Sequence, residues 1–347
     1  MTTTLNGASN NGAHISRKIA AGIYAPIPTF YQPVSEDLDL ESFTSHIIRL
    51  ARGGVRPLIA GSMGEGLHLT HSERITLIQA ARAALDKEGF AGVPIIAGTG
   101  TGSTRETVEL CKEAAVAGAD AAIVITSGYF AGVLASNKAA LKAYFTEVAE
   151  KSPIPVMIYN YPGASGGIDL DSDLITELAT ESPNLCGVKL TCGNVGKLTR
   201  IAATVSEQSF SQLYPRQNPD APFLVLGGYA DFIVPGACAN GHGAITGLAN
   251  VAPYTLVRLF ALATAALADP SRLPEAQQLQ GIVARADFTI AKAGIAGTKA
   301  LLERLYGYGG APRKPLPPFA PEALQTLWEH PHTQELVKVE RELAGKA

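Results

Sequence analysis

The chain has little of what metal centres, polyanion binding or membrane insertion require. Its four cysteines, Cys111, Cys186, Cys192 and Cys238, show no CxxC spacing, and no HExxH or clustered His/Asp/Glu set occurs. Reduced thiols acting as small core residues are therefore expected, and chemistry that needs no metal or cofactor. Charged residues make up only 17% and the formal net charge is -3, with no Lys/Arg block, so nothing favours nucleic acid. No apolar run approaches the roughly 18 residues of a spanning helix, and no basic stretch followed by an apolar segment opens the chain, so a membrane role is excluded. A cytoplasmic location is the expectation. Residues 1–17 hold almost no large apolar side chains and are expected to be a disordered tail. A transit peptide would need more arginines than Arg17 and its neighbour Lys18 supply.

Hydrophobic residues, by contrast, reach 46%. They fall into a repeated phrase: a helical stretch, a Gly/Pro/Asn turn, a short apolar strand, then a Gly/Ser/Thr-rich loop. Ala121-Ala122-Ile123-Val124-Ile125 after Ala117-Gly118-Ala119-Asp120, and Leu185 to Leu190 after Ser182-Pro183-Asn184, are clear instances. About eight such strands occur, which predicts parallel strands with crossover helices closed into a (β/α)8 TIM barrel over residues 18–250. An open doubly wound sheet is the competing architecture, but the first loop, Pro28-Thr29-Phe30-Tyr31-Gln32-Pro33, carries no GxGxxG. Residues 251–347 have helical spacing only and predict a C-terminal helical domain, either an appendage on the barrel or a subunit contact.

Within this frame, residues at strand C-terminal ends are candidates for chemistry. Lys189, near the end of Leu185-Cys186-Gly187-Val188-Lys189-Leu190, is either a lysine snorkelling to water or an amine held in apolar surroundings to react. Tyr159, ending the preceding strand, is either a packed aromatic or a proton relay, since alternation leaves open which face it takes. Gly61-Ser62-Met63-Gly64-Glu65-Gly66 follows the second strand and offers consecutive N–H groups for a carboxylate, or is a plain turn before the capping box Thr70-His71-Ser72-Glu73. His242 precedes the last strand, on the face associated with stability, and is set aside.

Taken together, Gly61-Ser62-Met63-Gly64-Glu65, Gly98-Thr99-Gly100, Tyr159-Asn160-Tyr161-Pro162, Gly187-Val188-Lys189 and Arg313-Lys314-Pro315-Leu316-Pro317 resemble the dihydrodipicolinate synthase / N-acetylneuraminate lyase superfamily over about Lys18 to Ala320. The resemblance implies a barrel assembled as a homodimer or homotetramer and a class I, lysine-imine carbon–carbon lyase working on pyruvate or another 2-oxo acid and an aldehyde. It makes Lys189 the imine lysine and Tyr159 the proton-transfer phenol. Ser62 and Met63 fall where the 2-oxo acid carboxylate is bound, and Ile245 where a backbone carbonyl faces the pyruvyl group.

Departures from the synthase pattern narrow the substrate. Gly163-Ala164-Ser165 stands where synthases carry an arginine for the second substrate's carboxylate, Met63 replaces a threonine, and Phe130 falls where a tyrosine crosses the dimer. Thr191 sits where 4-hydroxy-2-oxoglutarate aldolases have a serine. The segment from Gly187 to Gly193 is most similar to fungal-type aldolases that cleave 2-keto-3-deoxy sugar acids such as 2-keto-3-deoxy-L-galactonate. Cleavage of 4-hydroxy-2-oxoglutarate, dihydrodipicolinate synthesis and an inactive 2-oxo-acid-binding barrel are the alternatives.

Overall fold

In the computed structural model, which describes residues 17–346, eight strands form one closed parallel barrel in sequence order. They are β1 (Gly22–Pro26), β2 (Arg56–Ile59), β3 (Ile96–Gly98), β4 (Ala121–Ile125), β5 (Val156–Asn160), β6 (Leu185–Leu190), β7 (Leu224–Gly227) and β8 (Gly243–Ile245). The β1–β8 pairing, with Tyr24 opposite Ile245, is the contact an open sheet would lack. The expected 1–17 tail lies, apart from Arg17, outside the described residues.

Two apolar layers explain why the strands read as continuous hydrophobic runs. Val156, Ile158, Val188 and Leu190 face the surrounding helices, while Tyr24, Leu58, Ile96, Met157, Cys186, Leu224 and Ile245 fill the barrel. Burying each such side chain contributes roughly 1.5–3 kcal/mol, so strands inside this fold have no polar face to spare. Crossover helices begin where capping chemistry predicts. Thr70 and Glu73 form a reciprocal capping box on His71–Lys87, and Ser103 accepts from Glu106 N at the start of Thr104–Ala117.

After β8 come the helices Pro253–Ala268, Leu273–Ala291, Gly294–Tyr306, Pro321–Glu329 and Pro331–Ala344. The spacing from about Pro321 to Leu343 would suit one continuous helix. Pro331 splits it, because a proline has no N–H for the helix ladder and disfavours a helical residue before it. Leu273–Ala291 and Gly294–Tyr306 lie across the C-terminal mouth of the barrel, and Lys299 pairs with Glu65 of the loop after β2 at 3.1 Å, both side chains fully buried.

Candidate active site

Whether Lys189 points into the barrel is decided one turn of chain earlier. Between Val156 and Met157 of β5 the β5–β6 register slips, so that Val156 pairs with Leu185 but Met157 with Gly187. One extra residue, Cys186, is absorbed there, and Gly187 carries a φ of +148°. A Cβ at Gly187 would stand 2.4 Å from Leu224 O, so glycine alone fits. This bulge resets alternation: Cys186 and Lys189, three residues apart, both face inward, with Val188 and Leu190 outward.

Lys189 is then paired laterally with Tyr159 of β5 and Leu226 of β7. Its Nζ lies 4.2 Å from the centroid of the Tyr159 ring, and the residue is 4% exposed. No carboxylate pairs with it among the described residues. Desolvation of the ammonium lowers its pKa from the ordinary 10.5 to about 7, which makes a large fraction of the amine neutral at physiological pH.

Tyr159 faces inward beside it and stacks on Tyr161, with ring centroids 5.6 Å apart. Burial raises the phenol's pKa, and the nearby hydroxyls of Ser62 and Thr191 pull it partly back. Thr191 Oγ1 is buried and approaches the phenol without making a hydrogen bond of normal geometry. A donor left this way costs free energy unless a ligand group meets it.

Lys189, Tyr159, Thr191, Ser62 and Met63 all line one cavity of about 220 Å³. The loop carrying Ser62 and Met63 is held open by its neighbours: Glu65 N donates to Ser62 O, Gly66 N to Gly61 O, and Thr29 Oγ1 to Gly64 O. Glu65 itself is left-handed, at φ +53°. Among the described residues the N–H groups of Ser62 and Met63 donate to nothing in the protein, which leaves them for an anion. The structure thus brings five of the residues singled out in the sequence to one cavity.

Two others are placed differently. Ile245 is packed in the barrel interior and its side chain does not line the cavity. Phe130, on the short turn Gly128–Phe130, is 53% exposed and stacks edge-on against the more exposed Tyr129, outside the cavity of its own chain. His242 accepts from Val225 N through Nδ1 at 3.0 Å, a structural bond well away from Lys189's end of the barrel.

Sequence inspection missed the roof. Asp287 and Ile290 of Leu273–Ala291, Ile295 and Thr298 of Gly294–Tyr306, and Tyr229 after β7 line the same cavity. The one available signal was a lone aspartate in the alanine-rich segment Ala284-Arg285-Ala286-Asp287. Beside Ser62 and Tyr159 a second cavity of about 230 Å³ opens, lined partly by Ala164, Ile125 and Arg74. Arg74 is already committed there, donating to Gly98 O at 2.7 Å and to Gly66 O. Among the described residues no His/Cys/Asp/Glu group has the makings of a metal site.

Known proteins are similar to this chain along most of its length. The L-threo-3-deoxy-hexylosonate aldolase of Hypocrea jecorina is 43% identical over 300 residues, covering 86% of this chain and 90% of its own. A protein of Emericella nidulans named "probable 4-hydroxy-2-oxoglutarate aldolase, mitochondrial" is 41% identical over 332 residues, 95% of this chain and 99% of the relative. Among solved structures, a dihydrodipicolinate synthase family protein from Coccidioides immitis matches with a TM-score of 0.77 at 35% identity, covering 94% of this chain and 99% of that one. With residues 20–330 matching the Dihydrodipicolinate synthetase family, the chain belongs to that family and to its lysine-imine carbon–carbon lyases.

Proposed function

We propose that the enzyme cleaves a 2-keto-3-deoxy acid, foremost 2-keto-3-deoxy-L-galactonate, into pyruvate and glyceraldehyde, with Lys189 as the imine lysine. The observation that carries this reading is the buried Lys189 amine, free of any carboxylate and stacked on the Tyr159 ring. The Hypocrea relative's name supports the sugar-acid substrate.

The chemistry follows from those two groups. Neutral Lys189 Nζ attacks the C2 carbonyl, and Tyr159 gives its proton to the carbinolamine hydroxyl, which leaves as water. The product is a protonated imine beside a phenolate that the new cation stabilises. The phenolate takes the C4 hydroxyl proton, the C3–C4 bond breaks, and its electron pair enters the imine to give an enamine while C4 departs as the aldehyde. Protonation at C3 and hydrolysis of the imine release pyruvate and restore Lys189.

Around this pair, the N–H groups of Ser62 and Met63 receive the C1 carboxylate, and Thr191 Oγ1 meets a substrate hydroxyl. By resemblance Ile245 contributes its carbonyl, and Phe130 reaches the site of a second copy in a homodimer or homotetramer. Its exposure, with Tyr129 and Val133 beside it, supports that placement. No helix among the described residues is long and apolar enough to cross a membrane. A cytoplasmic location stays part of the proposal, with the mitochondrial name of the Emericella relative as its rival and imaging of a C-terminally tagged chain as its test.

Incubation with pyruvate and borohydride tests the mechanism: a reduced adduct on Lys189 is expected, and a folded protein with Lys189 unmodified would refute it. Assays with 2-keto-3-deoxy-L-galactonate, 4-hydroxy-2-oxoglutarate, and pyruvate plus aspartate semialdehyde then separate the substrates. The Emericella relative favours the second as a competing reading. The third would need a free cation near Ala164, where Arg74 is already engaged by backbone carbonyls.

A further inference from the structure

Resting on the aldolase reading above, we propose that Asp287 is a specificity-determining residue: it hydrogen-bonds the hydroxylated tail of the substrate and rejects a tail that ends in a second carboxylate. Asp287 lies on the helix Leu273–Ala291, 5% exposed, and lines the cavity that Lys189 and Tyr159 line. Its position is set from the barrel side. Oδ2 accepts from Ala230 N, in the loop after β7, at 2.6 Å, and Gln280 on the same helix donates to Ala230 O at 2.9 Å. The Asp231 N–H also stands near the carboxyl, and two backbone donors leave part of its roughly four lone-pair sites for a ligand.

Charge makes the choice. No Lys or Arg pairs with Asp287 among the described residues, and its electrostatic neighbours are Asp231 and Tyr229, neither of them a cation. Burial raises its pKa to about 7, so at neutral pH the group is a mixture of carboxyl, which donates and accepts, and carboxylate, which accepts. Either form suits the C5 and C6 hydroxyls of a sugar acid. Among the described residues Lys189 is the only Lys or Arg in the cavity lining, and its charge, kept in the protonated imine at C2, lies beside the substrate's own C1 carboxylate and away from the tail. A distal carboxylate, as in 4-hydroxy-2-oxoglutarate, would meet no other lysine or arginine among the described lining residues and could approach Asp287 only once that aspartate had taken up a proton. Thr191 Oγ1, buried and unpartnered in the same cavity, adds one more group suited to a hydroxyl.

The competing explanation is an aspartate that merely ties helix to loop. Asp287→Asn separates the two, because the amide oxygen can still accept from Ala230 N while the charge is gone. The expected result is a KM for 4-hydroxy-2-oxoglutarate lowered about tenfold or more, because the opposing charge is gone, with a smaller change for 2-keto-3-deoxy-L-galactonate, whose hydroxyls the amide can still meet. The kcat/KM ratio of that substrate to 4-hydroxy-2-oxoglutarate should fall by at least about tenfold, with borohydride trapping of pyruvate on Lys189 unchanged. An unchanged ratio, or equal losses on both substrates, overturns the proposal.

The wild-type enzyme gives a second measurement that does not depend on how the variant folds. 2-Oxoglutarate should protect Lys189 from pyruvate trapping about tenfold less well than 5-hydroxy-2-oxopentanoate, which carries a hydroxyl in place of the distal carboxylate and has no C4 hydroxyl to permit cleavage, and equal protection overturns the proposal. Failure of the wild-type enzyme to trap pyruvate at all would instead remove the aldolase reading, and this proposal with it.

Discussion

Replacing Lys189 by methionine should abolish turnover and make the protein more stable. In the folded state the amine is fully desolvated and its pKa falls from 10.5 to about 7. At 1.36 kcal/mol per pH unit, keeping the ammonium buried below pH 7 costs roughly 5 kcal/mol relative to the unfolded chain. The cation–π contact with Tyr159 at 4.2 Å returns about 1–2 kcal/mol of that. Methionine is unbranched, of similar length, and borders a cavity of about 220 Å³, so it adds no overpacking. The sign of the pH dependence follows from proton counts. Between about pH 7 and 10.5 the unfolded chain binds more protons at this site than the folded one, so wild-type stability rises across that window and the penalty disappears above it. Calorimetry or urea unfolding at pH 6, 7.5 and 9 reads this directly. Lys189→Met should exceed the wild type by roughly 3 kcal/mol at pH 6, and the gain should shrink steadily towards pH 10. A variant no more stable than wild type at pH 6, or a gain indifferent to pH, would show that Lys189 is not held against a desolvation penalty.

Four further outcomes are expected. The rate of pyruvate trapping on Lys189 should fall about tenfold per pH unit below pH 7 and level off above it, as stopped trapping and mass spectrometry would show; a rate still climbing at pH 9 contradicts the lowered pKa. Tyr159→Phe should slow both pyruvate trapping on Lys189 and aldehyde release, the latter by about 10²–10⁴-fold in kcat, since the hydroxyl that moves the proton in both steps is removed. Gly187→Ala should destabilise by at least about 2 kcal/mol in urea titration, because its φ of +148° and the 2.4 Å approach to Leu224 O both oppose a Cβ. Lys299→Met should cost about 3–5 kcal/mol by leaving Glu65 buried without its cation, and adding Glu65→Gln should recover part of the loss in a double-mutant cycle.

Much of the barrel was legible because parallel strands covered on both faces must read as apolar runs, and turns between them must carry glycine, proline or asparagine. The same uniformity hid what alternation usually tells. In β5 and β6 both faces are apolar, so nothing local says whether Tyr159 and Lys189 point in or out. Resemblance assigned roles to Ser62, Met63, Tyr159, Lys189 and Thr191, and these five meet in one cavity. It gave no hint of the roof, because the helices after β8 look like any amphipathic packing.

By itself, then, the sequence determined the order of strands and helices, the capping of those helices, and the presence of an awkward lysine in an apolar strand. These are local matters, governed by propensity, hydrophobic burial and turn chemistry. Tertiary structure decided the rest. Closure of β8 on β1 chose a barrel over an open sheet. The bulge at Cys186 and Gly187, possible only where Leu224 O approaches a residue without a Cβ, turned Lys189 inward. Packing of the helix Leu273–Ala291 across the mouth brought Asp287 to a cavity that it shares with Lys189, 98 residues earlier in the chain. Each of these depends on a contact between segments far apart in sequence, and no local pattern records such a contact.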